Sequence, residues 1–167
     1  MEKLKHWMKN RYFWLLVAAG MPLFISAIIC IGNGVYPFGE NCLLHVDMYH
    51  QYCPFFTEFL RKLREGKSLM YSWNIGLGSD FVSVFAYYLA SPLNFLMAFI
   101  PQENVCDFMD LMILIKIGLC GGTFSWYLHR RDPERKYLPV VFGMMFALSN
   151  FIIGYYFNLM WLDSIVV

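Results

Sequence analysis

Between the charges at Arg11 and Glu40 the chain runs 28 residues without another charge. A helix needs about 20 apolar residues to cross the hydrocarbon of a bilayer. Residues 12–31 (YFWLLVAAGMPLFISAIICI) meet that length, and a first span over 12–35 is expected. Three more apolar stretches follow, at 81–100, 111–128 and 138–157. Between the first two tracts the pattern changes. Phe55, Phe59 and Leu63 recur every four residues, and Glu58, Arg61, Lys62 and Glu65 fill the other face. That predicts an amphipathic helix from about His45, lying in an interface plane and stopped by Gly66. YPFGEN (36–41) reads as a turn, and the Gly-rich, aromatic YSWNIGLGSDF (71–81) as a loop near lipid headgroups.

Charge decides which stretches cross. Lys3, Lys5, Lys9 and Arg11 precede the first span against a single Glu2, so residues 1–11 are expected on the cytoplasmic side. The tract lacks an A-x-A-like cleavage site and is long for a signal sequence, so it reads as a retained helix. The link HRRDPERK (129–136) holds Arg130, Arg131, Arg135 and Lys136 and belongs on the cytoplasmic side. The link PQENVCDFMD (101–110) has no Lys or Arg and fits the outside. Both links take their favoured sides only if 81–100 does not cross. That stretch also contains Pro92, which breaks or kinks a helix at its middle. The expected fold is therefore all-α and integral to the membrane. About three transmembrane helices (12–35, 111–128, 138–158) are joined by an extracytoplasmic loop over 36–110 with interfacial and re-entrant helices. A cytoplasmic basic loop covers 129–137, and 159–167 begins at the outer face. Trp and Tyr near the span ends, such as Trp14, Trp126, Tyr155 and Trp161, suit headgroup interfaces.

Composition agrees and excludes some functions. The chain is 59% hydrophobic and 15% charged, where a soluble domain carries about 25% charged residues. Net charge is +1, and no Lys/Arg cluster interleaved with aromatics tracks a phosphate backbone, so nucleic acid is not an expected partner. The five cysteines form no CxxC pair, which leaves zinc and redox motifs unsupported. Cys42 and Cys53 either pair outside the cell or stay reduced as small apolar residues. GLG (76–78) follows no strand and is no nucleotide motif. There is no internal repeat or low-complexity tract.

Candidate chemistry concentrates in NCLLHVDMYHQYCPFF (41–56). On a helix Asp47 shares a face with Gln51 at i+4 and with His50 at i+3, presenting a carboxylate, an amide and an imidazole together. His45-x-Asp47-x-x-His50 also has the makings of a divalent-cation site, although His45 points elsewhere on a regular helix. The bland alternative is a solvated polar face. Lys116 is the only charge inside an expected span, at an insertion cost of about 2.5–3.5 kcal/mol. It either serves a site or snorkels outward and pairs with Asp107 or Asp110. Asp163 falls at the outer face, to hold an acceptor or ion or simply to end a helix.

PFGENCLLHVDMYHQYCPFF, GKSLMYSWNIGLGSDF, YYLASPLNFLMAFIP and NLMWLDS, in that order over about 36–164, resemble the N-terminal part of the YfhO family of bacterial polytopic membrane proteins. That family is similar to the GT-C glycosyltransferases. The resemblance implies a GT-C-like fold and an enzyme that moves sugar from a polyprenyl-phosphate carrier to an extracytoplasmic cell-wall polymer such as lipoteichoic acid. It implies Asp47 as the catalytic acidic residue of the first outer loop. The spacing and charge argued above add Gln51, His50, Lys116 and Asp163 as substrate-binding candidates. Lys116 would face the leaving phosphate. No cofactor is required by this reading, and a divalent cation stays open. Family members have many more spans and a large outer domain, so the chain as given is expected to be an N-terminal fragment, inactive alone. Two other classes compete. A transporter subunit would use Lys116 and Asp163 along a polar path. A membrane scaffold would only bind lipid or a partner through its aromatic helices.

Overall fold

The computed structural model describes residues 11–166. Lys3, Lys5 and Lys9, which orient the chain in the sequence reading, lie outside the described residues. The fold is mostly helical. Helix α1, Arg11–Gly32, is the long apolar tract. Leu16, Phe24, Ile28, Ile29 and Ile31 stand exposed along it. Large apolar side chains in such a row call for an apolar surrounding. Among the described residues one helix, Tyr12–Gly32, is long and apolar enough to cross a membrane, or two if the bent pair described below counts as one.

The amphipathic segment is helical where the pattern says. A wide π turn, Met48–Tyr52, runs into α2, Cys53–Glu65. Gly66 ends α2 in the left-handed conformation at φ 60°, which glycine adopts without a Cβ penalty. Of the expected apolar stripe Phe59 is fully buried and Phe55 and Leu63 partly so, while Phe56 and Leu60 beside it are fully buried as well. The polar face differs from expectation. Glu58 and Lys62 are 4% and 3% exposed, covered by the segment that follows the helix. Glu58 receives Arg61, Ser72 and Asn74 at 2.6–2.9 Å. Lys62 Nζ donates to the Ser68 and Tyr71 carbonyls at 2.8 and 2.7 Å. A helix covered on both sides is a docked element of the fold.

The covering segment is a hairpin where the sequence suggested only loop. Strands β1, Tyr71–Ser72, and β2, Ser79–Asp80, pair antiparallel. Helix α3, Phe81–Val84, starts directly after, capped by Asp80, whose carboxylate accepts from the Val82 and Ser83 amides. It continues as a π turn, Phe85–Leu89. A 3-10 helix, Pro92–Phe99, then leaves at 105° to Phe81–Leu89. Pro92 opens the new helix, where its missing N–H is harmless, so the expected break falls at this proline.

Helix α4, Val105–Arg131, contains the expected second span and extends beyond it at both ends. The expected third span is interrupted. Helix α5, Leu138–Ala147, stops, and a short α6, Asn150–Gly154, begins after Ser149 accepts from the Ile152 amide. Hydroxyl capping of this kind competes with a continuous helix. The chain closes with α7, Leu159–Val166. Helices α1, α4 and α5 pack on one another through missing side chains. A Cβ at Gly121 would lie 2.5 Å from the Ala18 carbonyl oxygen, and one at Gly143 would lie 2.5 Å from the Gly121 oxygen.

Candidate functional site

The chemistry-bearing residues fall into three clusters. The first is built on the start of the π turn. Asp47 directly precedes Met48–Tyr52, makes no capping hydrogen bond with its side chain, and is half-buried. Burial above all, then the neighbouring tyrosines and least of all the charge of Asp47, holds the phenols of Tyr52 and Tyr88 above their ordinary values. Gln51, one turn on, accepts from the Tyr88 hydroxyl at 3.2 Å. Tyr88 is thus bonded to Gln51, while Asp47 acts on it only through its charge. His50 does not join them: it is exposed and sets its ring edge-on to Tyr49. The Tyr52 hydroxyl is buried facing the Met160 backbone without a well-formed hydrogen bond.

The second cluster lies at the break of the bent pair. Lys116, on α4, is fully buried. It pairs with Asp163 of α7 at 2.8 Å, not with Asp107 or Asp110, and it does not snorkel. Its ammonium also reaches the Leu159 carbonyl at 3.4 Å. Ser91 donates to the other Asp163 oxygen at 2.9 Å. Three elements distant in sequence are thereby pinned at one carboxylate, which keeps 26% of its side-chain surface open. Beside it runs an open groove of about 740 Å³ whose walls include Tyr87, Tyr88, Ser91, Leu119, Trp161 and Asp163. Asp47 and Lys116 stand behind this wall and are not part of it. Tyr88 connects the two clusters, since it touches Gln51 on one side and the groove on the other.

The third cluster positions the first. Asp110 is fully buried on α4 and accepts the Leu43 amide with both oxygens, at 3.1 and 3.2 Å. Tyr156 donates to the Leu43 carbonyl at 3.0 Å and lies 3.0 Å from His45 Nδ1. The run into Asp47 is therefore held at both backbone groups of Leu43. His45 is engaged here, packed on Tyr156 and Phe157, and not beside His50. Among the described residues no three His, Cys, Asp or Glu side chains gather as a metal-ligand set.

The sequence reading missed Tyr88, Ser91, Asp110 and Tyr156. A signal existed for two of them, because YYLASPLN is one of the motifs carrying the resemblance. Nothing in the sequence marks Asp110 or Tyr156 as partners of Leu43.

These features define a mostly helical protein with one membrane-length apolar helix and a groove edged by a buried ion pair. Residues 18–167 match the family described as bacterial membrane protein YfhO, and the chain belongs to that family. Comparison with curated proteins and with solved structures gives no match.

Proposed function

We propose that the chain is part of a GT-C-like membrane glycosyltransferase. It takes sugar from a polyprenyl-phosphate carrier and passes it to an extracytoplasmic wall polymer such as lipoteichoic acid. The observation that carries the reading is the groove itself. It presents one oriented carboxylate, Asp163, between aromatic walls; Gln51 is bonded to the hydroxyl of its Tyr88 wall, and Asp47, four residues before Gln51, lies outside the groove's lining. Aromatic faces suit the apolar faces of a sugar or prenyl chain, and few convergent polar groups suit hydroxyls.

In this reading Asp47 takes the proton from the acceptor hydroxyl. The oxygen attacks the anomeric carbon, the bond from that carbon to the phosphate oxygen breaks, and polyprenyl phosphate leaves. Gln51 and Asp163 hold hydroxyls, and His50 faces outward toward the incoming carrier. Lys116 acts through Asp163. It is fully buried and already paired, so its ammonium orients and neutralises that carboxylate and does not meet the leaving phosphate. The proposed topology has three crossings, with the 36–110 segment outside and 129–137 inside. The 105° bend at Pro92 supports a re-entrant path for 81–100, and the basic link supports the inside assignment.

The test is Asp47→Asn in the complete protein in host membranes, with sugar transfer to the wall polymer as readout. Loss of a general base lowers the rate by about 10²–10⁴-fold. Unchanged transfer would sink the assignment. A second reading, a transporter subunit, draws on the same Lys116–Asp163–Ser91 link, because polar residues meeting across apolar helices also line ion paths. Flux through reconstituted protein that depends on Lys116, with transfer intact in Asp47→Asn, would favour it.

A further inference from the structure

We propose that Cys53 and Cys106 are joined by a disulfide that ties the start of α2 to the start of α4. The Sγ atoms lie 3.5 Å apart, in contact, although 53 positions separate the residues in sequence. Cys53 is the first residue of α2 and Cys106 the second of α4. A small approach of two side chains converts contact into a bond of about 2.05 Å. Both thiols are half-buried and so reachable from the surface. The other cysteines are placed differently. Cys30 and Cys120 are buried on the apolar helices, and Cys42 is exposed on the run leading to Asp47.

The chemistry is thiol–disulfide exchange with a small-molecule or protein disulfide as oxidant. One thiolate attacks the donor disulfide and expels one donor thiol. The second attacks the resulting mixed disulfide and expels the other. Cys53 and Cys106 lose two protons and two electrons, and the donor gains them as two thiols. The pair suits a structural cross-link better than a catalytic dithiol. It is no CxxC, neither sulfur lines the groove, and burial together with Cys53 pushes the Cys106 thiol up to about 12, far from the activated range. The bond would enclose the hairpin, the bent pair and the helix under them in one covalent loop. The inference rests on the outer placement of 36–110, since disulfides persist in oxidising compartments.

The experiment blocks free thiols with N-ethylmaleimide as host cells are lysed, digests the protein unreduced, and reads peptides by mass spectrometry. The expected result is one linked pair of peptides carrying Cys53 and Cys106, released by dithiothreitol. In Cys53→Ser, Cys106 should instead carry the maleimide. Alkylation of both in the native protein, or linkage of Cys42 to either, overturns the proposal. A membrane-impermeant maleimide on intact cells separates the two ways of failing. Cys42 labelled from outside with the pair reduced removes the cross-link and leaves the topology standing. Cys42 unlabelled with the pair reduced removes the outer placement, and the cross-link with it.

Discussion

Lys116 shows how far a single residue can be read without its fold. Its cost inside an apolar helix was evident from the sequence, and so was its need for a partner. The partner itself, Asp163, lies 47 positions away, on a helix that no local pattern connects to α4. Truncating one member of a buried ion pair leaves the other charge uncompensated, which costs about 3–5 kcal/mol when both are sealed from solvent. Asp163 keeps 26% of its surface open, so Lys116→Met should fall below that range, at about 2–3 kcal/mol. The double variant Lys116→Met with Asp163→Asn should recover part of the loss, because no lone charge remains. Thermal unfolding in detergent of the two single variants and the double measures the coupling. Strictly additive losses would mean that the pair does not hold α4 to α7. The spacing of Asp47 and Gln51 is local and readable from the sequence. Tyr88, which links Gln51 to the groove, is not readable, because it arrives from another element.

At the scale of elements, α2 carries the sharpest difference from expectation. Its two faces were correctly divided into apolar and charged, but charge was equated with exposure. The hairpin that follows folds back over Glu58 and Lys62 and replaces water with hydroxyl, amide and carbonyl partners. The Arg61 guanidinium above all, with Ser72 and Asn74, holds the Glu58 carboxyl down at about 2. An unfolded glutamate titrates at about 4.3. A depressed folded value means that the ionised form stabilises the native state. The contribution is complete above the unfolded value and is lost as pH falls toward 2. Stability of the native protein minus that of Glu58→Gln should therefore be flat above about pH 5 and shrink below about pH 4.3. A difference that stays constant down to pH 2 would show that Glu58 is not ionised in this network. The bend at Pro92 and the stop at Gly66 were readable because proline and glycine act through their own backbone limits. The two-residue strands β1 and β2 were not, since so short a pairing has no period to detect. The interruption between α5 and α6 was hidden by an apolar run that looks continuous.

The molecule as a whole is assembled by α1, α4 and α5 meeting at glycines. Gly121 faces the Ala18 carbonyl oxygen, the Ala147 methyl and Pro22 at once. Gly121→Val forces backbone and side chains apart on two sides, and overpacking of this kind costs about 1–3 kcal/mol. A lowered unfolding midpoint in detergent is expected, and an unchanged midpoint would mean that Gly121 has room for a side chain and the helices do not pack closely there. By itself the sequence determined the helical class, the membrane-length first helix, the amphipathic α2 and the break at Pro92. Each follows from residues within a few positions of one another, where period, charge and backbone limits act. Only the tertiary structure decided which charge neutralises Lys116, that Glu58 and Lys62 are buried, that Leu43 is clamped by Asp110 and Tyr156, and that Cys53 faces Cys106. Those are contacts between distant segments. Their choice depends on how helices cross and which surfaces are covered, and no local pattern carries that information.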